Sequence, residues 1–221
     1  MPNILVTGGK GFIGRQLVKM LSGKTLGHKI TVLDKDGYSG PRHAEWDGIV
    51  HLAALARVSD AERYPAMCMD SNLTLTAEML NLKTKWFILA STCSPPTTIY
   101  GMSKQWAEQL AQYEAKRHGF GLRILRFTSV HGEGENPQKL LPMAISAYRN
   151  GTPMILSADA LPLEYVSVYR VVNEILGAMQ SLQEFPEIVV PPRKLCDGTI
   201  RTQQELMDFA KNVVHPDAQP A

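Results

Sequence analysis

Residues 6–14 read VTGGKGFIG and join a short apolar run to a helical pattern. Gly8, Gly11 and Gly14 are spaced three residues apart in this stretch. Between a strand and a helix, glycines at such a spacing allow a tight turn and leave room for a pyrophosphate, which the helix N-terminus attracts. The stretch therefore predicts a first strand over residues 3–7, a dinucleotide-binding turn and a first helix.

An acidic residue ends the next predicted strand. Residues 28–34 read HKITVLD, so Asp34 follows Gly14 by twenty residues. A carboxylate at this place accepts hydrogen bonds from the ribose of the adenosine and repels a 2′-phosphate. Asp34 thus favours NAD, whereas the neighbouring Lys35 would favour NADP. We predict NAD as the cofactor and keep NADP as the alternative.

Short aliphatic runs alternate with helical patterns along most of the chain. Alternation of this kind indicates an α/β fold, with a doubly wound parallel sheet that is covered by helices on both faces. We expect a cofactor-binding part over residues 1–132 and a small, partly interwoven substrate-binding part over residues 133–221. The further predicted strands are 48–54, 85–92, 122–130 and a short one at LEYVSV, and the predicted helices are 60–82, 100–118, 138–150, a helix ending near residue 182, and 201–213.

Charge and cysteine content argue against several classes of protein. The 221 residues contain 23 Lys and Arg against 21 Asp and Glu, and these charges are scattered, so we expect neither nucleic-acid nor membrane-surface binding. The three cysteines form no CxxC pair, which argues against a disulfide framework or a metal site and fits a reducing cytoplasm. Because no apolar run approaches membrane-spanning length, we expect a soluble protein.

The segment TTIYGMSKQWAEQL, residues 97–110, places Tyr100 four residues before Lys104 at the start of a predicted helix. Side chains at this spacing lie on one face of a helix. A tyrosine and a lysine meet in this way by chance in many proteins, so the pair gains a meaning only from the rest of the chain.

Six segments together resemble the extended short-chain dehydrogenase/reductases, and in particular their NAD-dependent nucleotide-sugar epimerase/dehydratase group. They are TGGKGFIG, VLD, HLAA, ILAST, YGMSKQWAE and LRFTSVHG, and the resemblance extends over about residues 3–183. It implies a Rossmann fold, bound NAD and a nucleotide-sugar substrate. It also implies a reaction in which a tyrosine takes a hydroxyl proton while a hydride passes to the nicotinamide.

The resemblance assigns roles to the residues around Tyr100. Tyr100 is the expected acid/base, and Lys104 is expected to hold the nicotinamide ribose and to lower the pKa of the tyrosine. Thr92 matches the hydroxyl that orients the substrate, with Ser91 as the alternative. Lowering a phenol from a pKa of about 10 by roughly three units costs about 4 kcal/mol, which a lysine and a cationic nicotinamide can jointly supply.

The same resemblance predicts which residues surround the cofactor and the substrate. The predicted cofactor contacts are Gly8, Gly11, Phe12, Ile13, Gly14, Asp34, Lys35, Leu52, Ala53, Ala54, Asn72, Tyr100, Lys104 and Phe127. The predicted substrate contacts are Cys93, Thr128 and Ser129, and no metal is expected. A cysteine after the catalytic hydroxyl resembles GDP-fucose synthases, where it takes part in epimerisation, but we interpret Cys93 as a small apolar residue. His51 and His131 are interpreted as structural.

The sequence departs from the family in three places. Only residues 35–47 join the second and third predicted strands, where relatives fit a further strand and helix. Thr92 and Tyr100 are separated by CSPPTTI alone, where relatives carry a longer excursion. Leu163 replaces an arginine that clamps the nucleotide diphosphate in relatives, and Arg126 and Arg170 are the nearby candidate cations.

These observations predict an NAD-dependent epimerase or dehydratase that acts on a nucleotide sugar. An NADPH-dependent sugar-nucleotide reductase and a non-catalytic NAD(P)-binding scaffold or sensor are the alternatives. The intact Thr92, Tyr100 and Lys104 favour an enzyme, whereas the shortened segments favour a sensor. Helices 60–82 and 100–118 could form the four-helix homodimer interface that this family often uses.

Overall fold

A computed structural model describes residues 1–23, 27–34, 45–154, 162–186, 189–198 and 200–214. Contacts between residues divide the chain into two units. The first unit contains Met1–Phe127 and Tyr169–Leu195, and the second contains Thr128–Val168 and the residues from Cys196 onwards.

A six-stranded sheet forms the centre of the first unit. The strands of the described residues are β1 (Asn3–Thr7), β2 (Lys29–Leu33), β3 (Trp46–His51), β4 (Thr84–Thr92), β5 (Gly121–Phe127), β6 (Ser129–His131), β7 (Leu163–Ser167), β8 (Arg193–Leu195) and β9 (Ile200–Arg201). The sheet has the order β2-β1-β3-β4-β5-β8, and every neighbouring pair in it is parallel. The predicted doubly wound α/β fold is confirmed.

Helices follow most of these strands. They are α1 (Phe12–Leu21), α2 (Val58–Arg63), α3 (Pro65–Met69), a π-helical turn (Asp70–Thr74), α4 (Leu75–Leu80), α5 (Ile99–His118), α6 (Leu140–Asn150), α7 (Val168–Glu184) and α8 (Gln203–Val214). The prediction of one continuous helix over residues 60–82 is wrong. Tyr64 leaves the helical conformation with φ −131° and ψ 66°, and Pro65, which lacks an N–H, starts a new helix.

Helix α5 lies close to the sheet because its inner face is built from alanines. Ala107, Ala111 and Ala115 recur every fourth residue and are all buried. Small side chains let the helix approach the larger apolar residues of the neighbouring strands, which include Leu5, Ile49, Phe87, Leu89, Leu122 and Ile124. The packing fixes the helix that carries Tyr100 and Lys104.

The second unit has its own small sheet and core. Strand β6 pairs in parallel with β7, and β7 pairs antiparallel with β9. Helices α6 and α8 supply buried residues on one side, among them Leu141, Ala144, Leu206 and Ala210. The predicted single strand over residues 122–130 is interrupted at Thr128, so that β5 and β6 belong to different sheets.

Two further features concern the described residues as a whole. None of their helices is both long enough and apolar enough to span a membrane. They also contain no group of three or more His, Cys, Asp or Glu side chains placed to bind a metal ion.

Candidate active site

The turn after β1 is packed so tightly that side chains have no room in it. Gly8 has a left-handed backbone (φ +69°), and a Cβ added there would lie 2.8 Å from the backbone nitrogen of Ala53. A Cβ at Gly14 would lie 2.1 Å from the carbonyl oxygen of Gly8. Helix α1 begins directly after Gly11 without a capping side chain or an acid in its first turn, as an anion-binding helix N-terminus requires. The turn therefore fits a pyrophosphate.

Asp34 lies beside this turn. Its Oδ2 accepts a hydrogen bond of 2.8 Å from the backbone nitrogen of Lys10, which ties the end of β2 to the turn. The side chains of Phe12 and Ile13 are half-buried in the first turn of α1. Lys35, the residue that would favour NADP, is outside the described residues.

A directed chain of hydrogen bonds runs behind the turn through His51. The backbone nitrogen of Ala53 donates to Thr7 Oγ1 (3.1 Å), and Thr76 Oγ1 donates to the carbonyl of Asn72 (2.8 Å). His51 lies between the two hydroxyls, 2.7 Å from Thr7 and 2.9 Å from Thr76. Because the Thr76 proton is already donated, His51 Nε2 is the donor to Thr76 and Nδ1 accepts from Thr7. Complete burial lowers the pKa of His51 to about 3, so the ring stays neutral.

Replacing His51 by Gln is expected to make the free energy of unfolding depend less steeply on pH in acid. The pKa of His51 is about 3 in the folded chain and 6.5 as its ordinary value, so between these pH values only the unfolded chain takes up the proton. This contribution to stability is complete above pH 6.5 and is lost as the pH falls towards 3, by at most about 5 kcal/mol. Urea unfolding at several pH values should show a shallower slope for His51→Gln than for the natural chain. Parallel slopes for His51→Gln and the natural chain would contradict the assignment.

Asn72 connects the segment after β3 with α5. Its Oδ1 accepts from the backbone nitrogen of Leu55 (2.7 Å), and its Nδ2 donates to the carbonyl of Leu55 (3.2 Å) and to Ser103 Oγ (2.9 Å). The Ser103 hydroxyl in turn donates to the carbonyl of Tyr100 (2.8 Å). Asn72 thereby braces both Tyr100 and the half-buried residues that follow β3, where the predicted cofactor contacts Leu52, Ala53 and Ala54 lie.

The first turn of α5 is held from outside the helix. Thr98 Oγ1 accepts from the backbone nitrogen of Gly101 (3.0 Å), and Glu62 Oε1 accepts from that of Ile99 (2.7 Å). A Cβ at Gly101 would lie 2.0 Å from the carbonyl oxygen of Pro95. The glycine next to Tyr100 therefore lets the loop after β4 pack directly against the helix.

Burial dominates the protonation of Tyr100 and Lys104. It raises the pKa of the Tyr100 phenol, which hydrogen bonding with Thr92 lowers in part. The resemblance implied a lowered tyrosine pKa, and the direction here is opposite because burial disfavours the phenolate. Burial also lowers the pKa of Lys104 to about 8, and the nearby Glu108 carboxylate acts in the other direction.

The structure separates the roles of Ser91 and Thr92. Ser91 Oγ donates to the carboxylate of Glu108, which a bidentate contact with Arg126 also binds. Thr92 Oγ1 accepts from the backbone nitrogen of Ser94 (3.0 Å) and interacts with Tyr100. Of the two hydroxyls, Thr92 is the one beside Tyr100.

Cys93 joins the end of β4 to β5. Its nitrogen donates to the carbonyl of Phe127 (2.9 Å), and its Sγ donates to that of Arg126 (3.6 Å). A cavity of about 360 Å³ borders Thr92 on this side and is lined by Cys93, Ser94, Gln105, Arg126 and Lys194, among others. The predicted substrate contact Cys93 thus lines the same cavity as the candidate catalytic hydroxyl of Thr92.

The second unit contains the other predicted substrate residues, Thr128 and Ser129, at the start of β6. It also contains a cavity of about 480 Å³, whose lining includes His131, Glu135, Ser146, Arg149, Asn150 and Phe209. His131 packs edge-on against Tyr165, with ring centroids 6.0 Å apart.

Arg201 is a candidate binding residue that the sequence did not reveal. It is the antiparallel register partner of Leu163, so the two side chains lie on one face of the small sheet. Its guanidinium lies 5.0 Å from the ring centroid of Phe209. Strand β9 has two residues, too few for a recognisable pattern, and it lies far from Leu163 in sequence. The candidate cation Arg126 is instead engaged by Glu108.

Comparison with known proteins agrees with this architecture. A sequence model of the NAD dependent epimerase/dehydratase family matches residues 4–190. The chain belongs to this family, as the resemblance predicted, and the family's description carries the predicted NAD dependence.

Relatives and solved structures are similar at low identity. The dTDP-glucose 4,6-dehydratase of Streptomyces antibioticus is 25% identical over 72% of this chain and 62% of its own length. The putative UDP-glucose 4-epimerase of Methanocaldococcus jannaschii is 25% identical over 96% of this chain and 82% of its own length. This chain spans only about half to two thirds of the dehydratases that it matches.

Two solved structures show the same fold. The UDP-glucose 4-epimerase of Thermotoga maritima, solved with UDP-glucose, has a TM-score of 0.79 at 24% identity and covers 99% of this chain and 84% of its own. The structure of MoeE5 with UDP-glucose and NAD has a TM-score of 0.81 at 22% identity and covers 96% and 81%.

Proposed function

We propose that this protein binds NAD in its first unit and uses it to epimerise or dehydrate a nucleotide sugar. The observation that carries the proposal is the juxtaposition of Thr92 with Tyr100, on the helix that also carries Lys104. The substrate class is supported by the relatives, whose names include UDP-glucose epimerases and dTDP-glucose dehydratases. We propose that residues 1–132 serve the cofactor and residues 133–221 mainly the substrate.

The described residues fit NAD. The turn has no room for a side chain at Gly8 or Gly14. The N-terminus of α1, which has no capping side chain, suits a pyrophosphate. Asp34 would accept hydrogen bonds from the adenosine ribose, and Lys104 would hold the nicotinamide ribose. When bound, NAD supplies the group that accepts a hydride from the sugar and returns it.

Tyr100 moves the proton in this proposal. As a phenolate it accepts the proton of a sugar hydroxyl, and the Thr92 hydroxyl orients that sugar oxygen. Burial opposes the phenolate, so a positive charge near the ring is required. The Lys104 ammonium, one turn further along α5, provides such a charge in its protonated form.

The proposed substrate residues are Cys93, Thr128 and Ser129, together with cations of the second unit. Arg149 lines the larger cavity, and Arg201 lies beside Leu163, the position at which the family resemblance implies a diphosphate-binding arginine. Aromatic and amide side chains in the same cavity, Phe209 and Asn150, suit a nucleobase. We propose the cytoplasm as the compartment, which the three free cysteines fit.

The test is an activity panel with the purified protein. UDP-glucose, UDP-glucuronate and dTDP-glucose are each incubated with NAD, and products are separated by ion-pair chromatography and identified by mass spectrometry and NMR. An epimer or a dehydrated sugar formed without net consumption of NAD supports the proposal. Stoichiometric oxidation of NADPH would instead support a reductase, and tight NAD binding without any turnover would support a sensor.

Replacing Asp34 by Ala is expected to weaken NAD binding about ten-fold or more. The difference in affinity between NAD and NADP should also become smaller. A hydrogen bond to a charged group contributes about 1.5–3 kcal/mol, and the carboxylate no longer repels a 2′-phosphate. Calorimetric titration of both cofactors measures the difference. Asp60→Ala, at a half-exposed site on α2, should leave both affinities unchanged. A natural chain that already prefers NADP would contradict the role of Asp34.

We further propose a homodimer formed through α2, α3 and α5. Large side chains on these helices, or between α2 and α3 in the case of Tyr64, are exposed, with Tyr64 at 46%, Met67 at 53%, Trp106 at 43% and Tyr113 at 62%. Because α2 and α3 pack against α5, these exposed side chains lie on or beside adjacent helices. A second copy of the chain would cover them.

Trp106→Glu is expected to weaken this dimer by at least about thirty-fold, because a central aromatic anchor contributes about 2 kcal/mol or more. Sedimentation equilibrium measures the association. Phe185→Glu, at an exposed aromatic outside these helices, is the control and should leave the association unchanged. A natural chain that remains monomeric at high concentration would contradict the proposal.

A further inference from the structure

Glu108 is a buried carboxylate in a fully formed site between three elements. It lies on α5, one turn after Lys104, and is 4% exposed. Its Oε1 accepts from Ser91 Oγ on β4 and from Arg126 Nε on β5 (2.8 Å), and its Oε2 accepts from Arg126 Nη2 (2.5 Å). Ser91 and Arg126 are direct register partners in the sheet. The carboxylate therefore clamps one point of the β4–β5 pair to the helix.

We propose that Glu108 is a positioning residue for the active site, holding the Thr92 hydroxyl in register with Tyr100 and keeping the Lys104 side chain in its charged form. The inference rests on the proposed function, because Thr92, Tyr100 and Lys104 have catalytic roles only there. Nothing in it requires Glu108 to touch the substrate.

The geometric part follows from chain connectivity. Thr92 is the residue next to Ser91, and Tyr100 is on the same helix as Glu108. A bond from Glu108 to Ser91 thus fixes the distance between the end of β4 and the helix that carries the phenol. Proton transfer requires hydrogen-bond distances, so a displacement of about 1 Å at this point lowers the rate strongly.

The electrostatic part follows from the surroundings of Lys104. The titratable groups that interact with it are Glu108 from its own helix, Cys68 from α3 and His51 from β3, and Tyr100 lies one turn earlier on the same helix. His51 is neutral, and burial lowers the pKa of Lys104 to about 8. The negative charge of Glu108 opposes this effect of burial. Without that charge, Lys104 would lose its proton at a lower pH.

The decisive comparison is between two glutamates of the same helix. Glu108→Gln keeps the shape and removes the charge. Glu114→Gln is the matched control, since Glu114 is also mostly buried (9% exposed) and paired, but with His118 (3.0 Å) and Arg117 (3.6 Å) near the end of the helix. We expect Glu108→Gln to lower kcat about ten-fold or more and to shift the limb of the kcat/KM pH profile that reports Lys104 to lower pH by about one unit. Glu114→Gln should change neither.

A second variant separates the geometric from the electrostatic part. Ser91→Ala removes the bond to β4 and leaves the charge of Glu108 in place. It is expected to lower kcat without moving the limb of the pH profile that reports Lys104. If Glu108→Gln does not fold, this variant still tests whether the link from α5 to β4 matters for the rate.

A direct measurement of Lys104 keeps the inference testable without turnover. Chains labelled with ¹³C at the lysine Cε are titrated by NMR, and the Lys104 signal is the one missing from Lys104→Gln. Its pKa should fall in Glu108→Gln and stay constant in Glu114→Gln. If the natural chain shows no turnover, the proposed function is overturned. The titration still tests whether the charge of Glu108 raises the pKa of Lys104. A loss of Tm in Glu108→Gln, with the pH profile and the Lys104 titration unchanged, would show a merely structural role and overturn the inference.

Discussion

A chain with phenylalanine in place of Tyr100 is expected to lose about a thousand-fold in kcat, since a positioned acid/base contributes roughly 10²–10⁴-fold. The substitution removes one hydroxyl, and the half-buried ring keeps its packing on the first turn of α5. Tm and NAD affinity should therefore stay close to the natural values. Initial rates on a substrate identified by the activity panel, together with calorimetry for NAD, provide the measurement.

The pH dependence adds a second criterion for Tyr100. The natural rate should rise with pH as the phenol becomes ionised, and any residual rate of the Phe variant should lack this rise. Tyr169→Phe is the control because Tyr169 lies on α7, outside the proposed dimer surface, and is 52% exposed. If the Tyr100 variant retains more than about a tenth of the natural rate, the acid/base assignment is wrong.

Gly14→Ala is expected to abolish measurable NAD binding and to lower the stability of the chain. The new methyl group would lie 2.1 Å from the carbonyl oxygen of Gly8 and 2.7 Å from the Cα of Gly9. Both neighbours are backbone atoms, so the turn must open, and overpacking of this kind costs about 1–3 kcal/mol or more. A displaced turn no longer presents its N–H groups to a pyrophosphate, and we expect NAD affinity to fall at least about a hundred-fold, equivalent to about 2.7 kcal/mol.

Gly177→Ala is the control for this substitution. Gly177 lies within α7, and an added Cβ there meets no atom within 4 Å. Alanine is favoured over glycine in a helix by about 1 kcal/mol, so this variant should be slightly more stable and bind NAD normally. Thermal unfolding measures the stability of both variants, and calorimetry measures their affinity for NAD. Unchanged NAD affinity in Gly14→Ala would show that the cofactor does not use the glycine turn.

The central part of the fold was predictable because its signals are local. VTGGKGFIG indicated β1, the turn and α1, and TTIYGMSKQW indicated the start of α5, since glycine spacing and helical periodicity act within a few residues. The uninterrupted aliphatic runs around Ile49 and Phe87 indicated buried parallel strands. Each of these elements lies within a few residues of its predicted position.

Long-range pairing was not predictable from the sequence. Strand β8 has only three residues, too few for a recognisable pattern, and it is defined by its pairing with the edge of β5. The position of Arg201 beside Leu163 likewise depends on a strand pairing. At the candidate site, the sequence proposed both Ser91 and Thr92, and the structure distinguishes them through Glu108, a residue to which the sequence assigned no role.

The position of β8 also affects how the nascent chain matures. The ribosome completes β5 well before it makes residues 193–195, the outer neighbour of β5 in the sheet. Until these residues emerge, part of the β5 edge has unpaired N–H and C=O groups, which are a template for pairing with other chains. Chaperone occupancy during synthesis should therefore persist beyond residue 127, where β5 ends, and decline once residue 195 has left the exit tunnel.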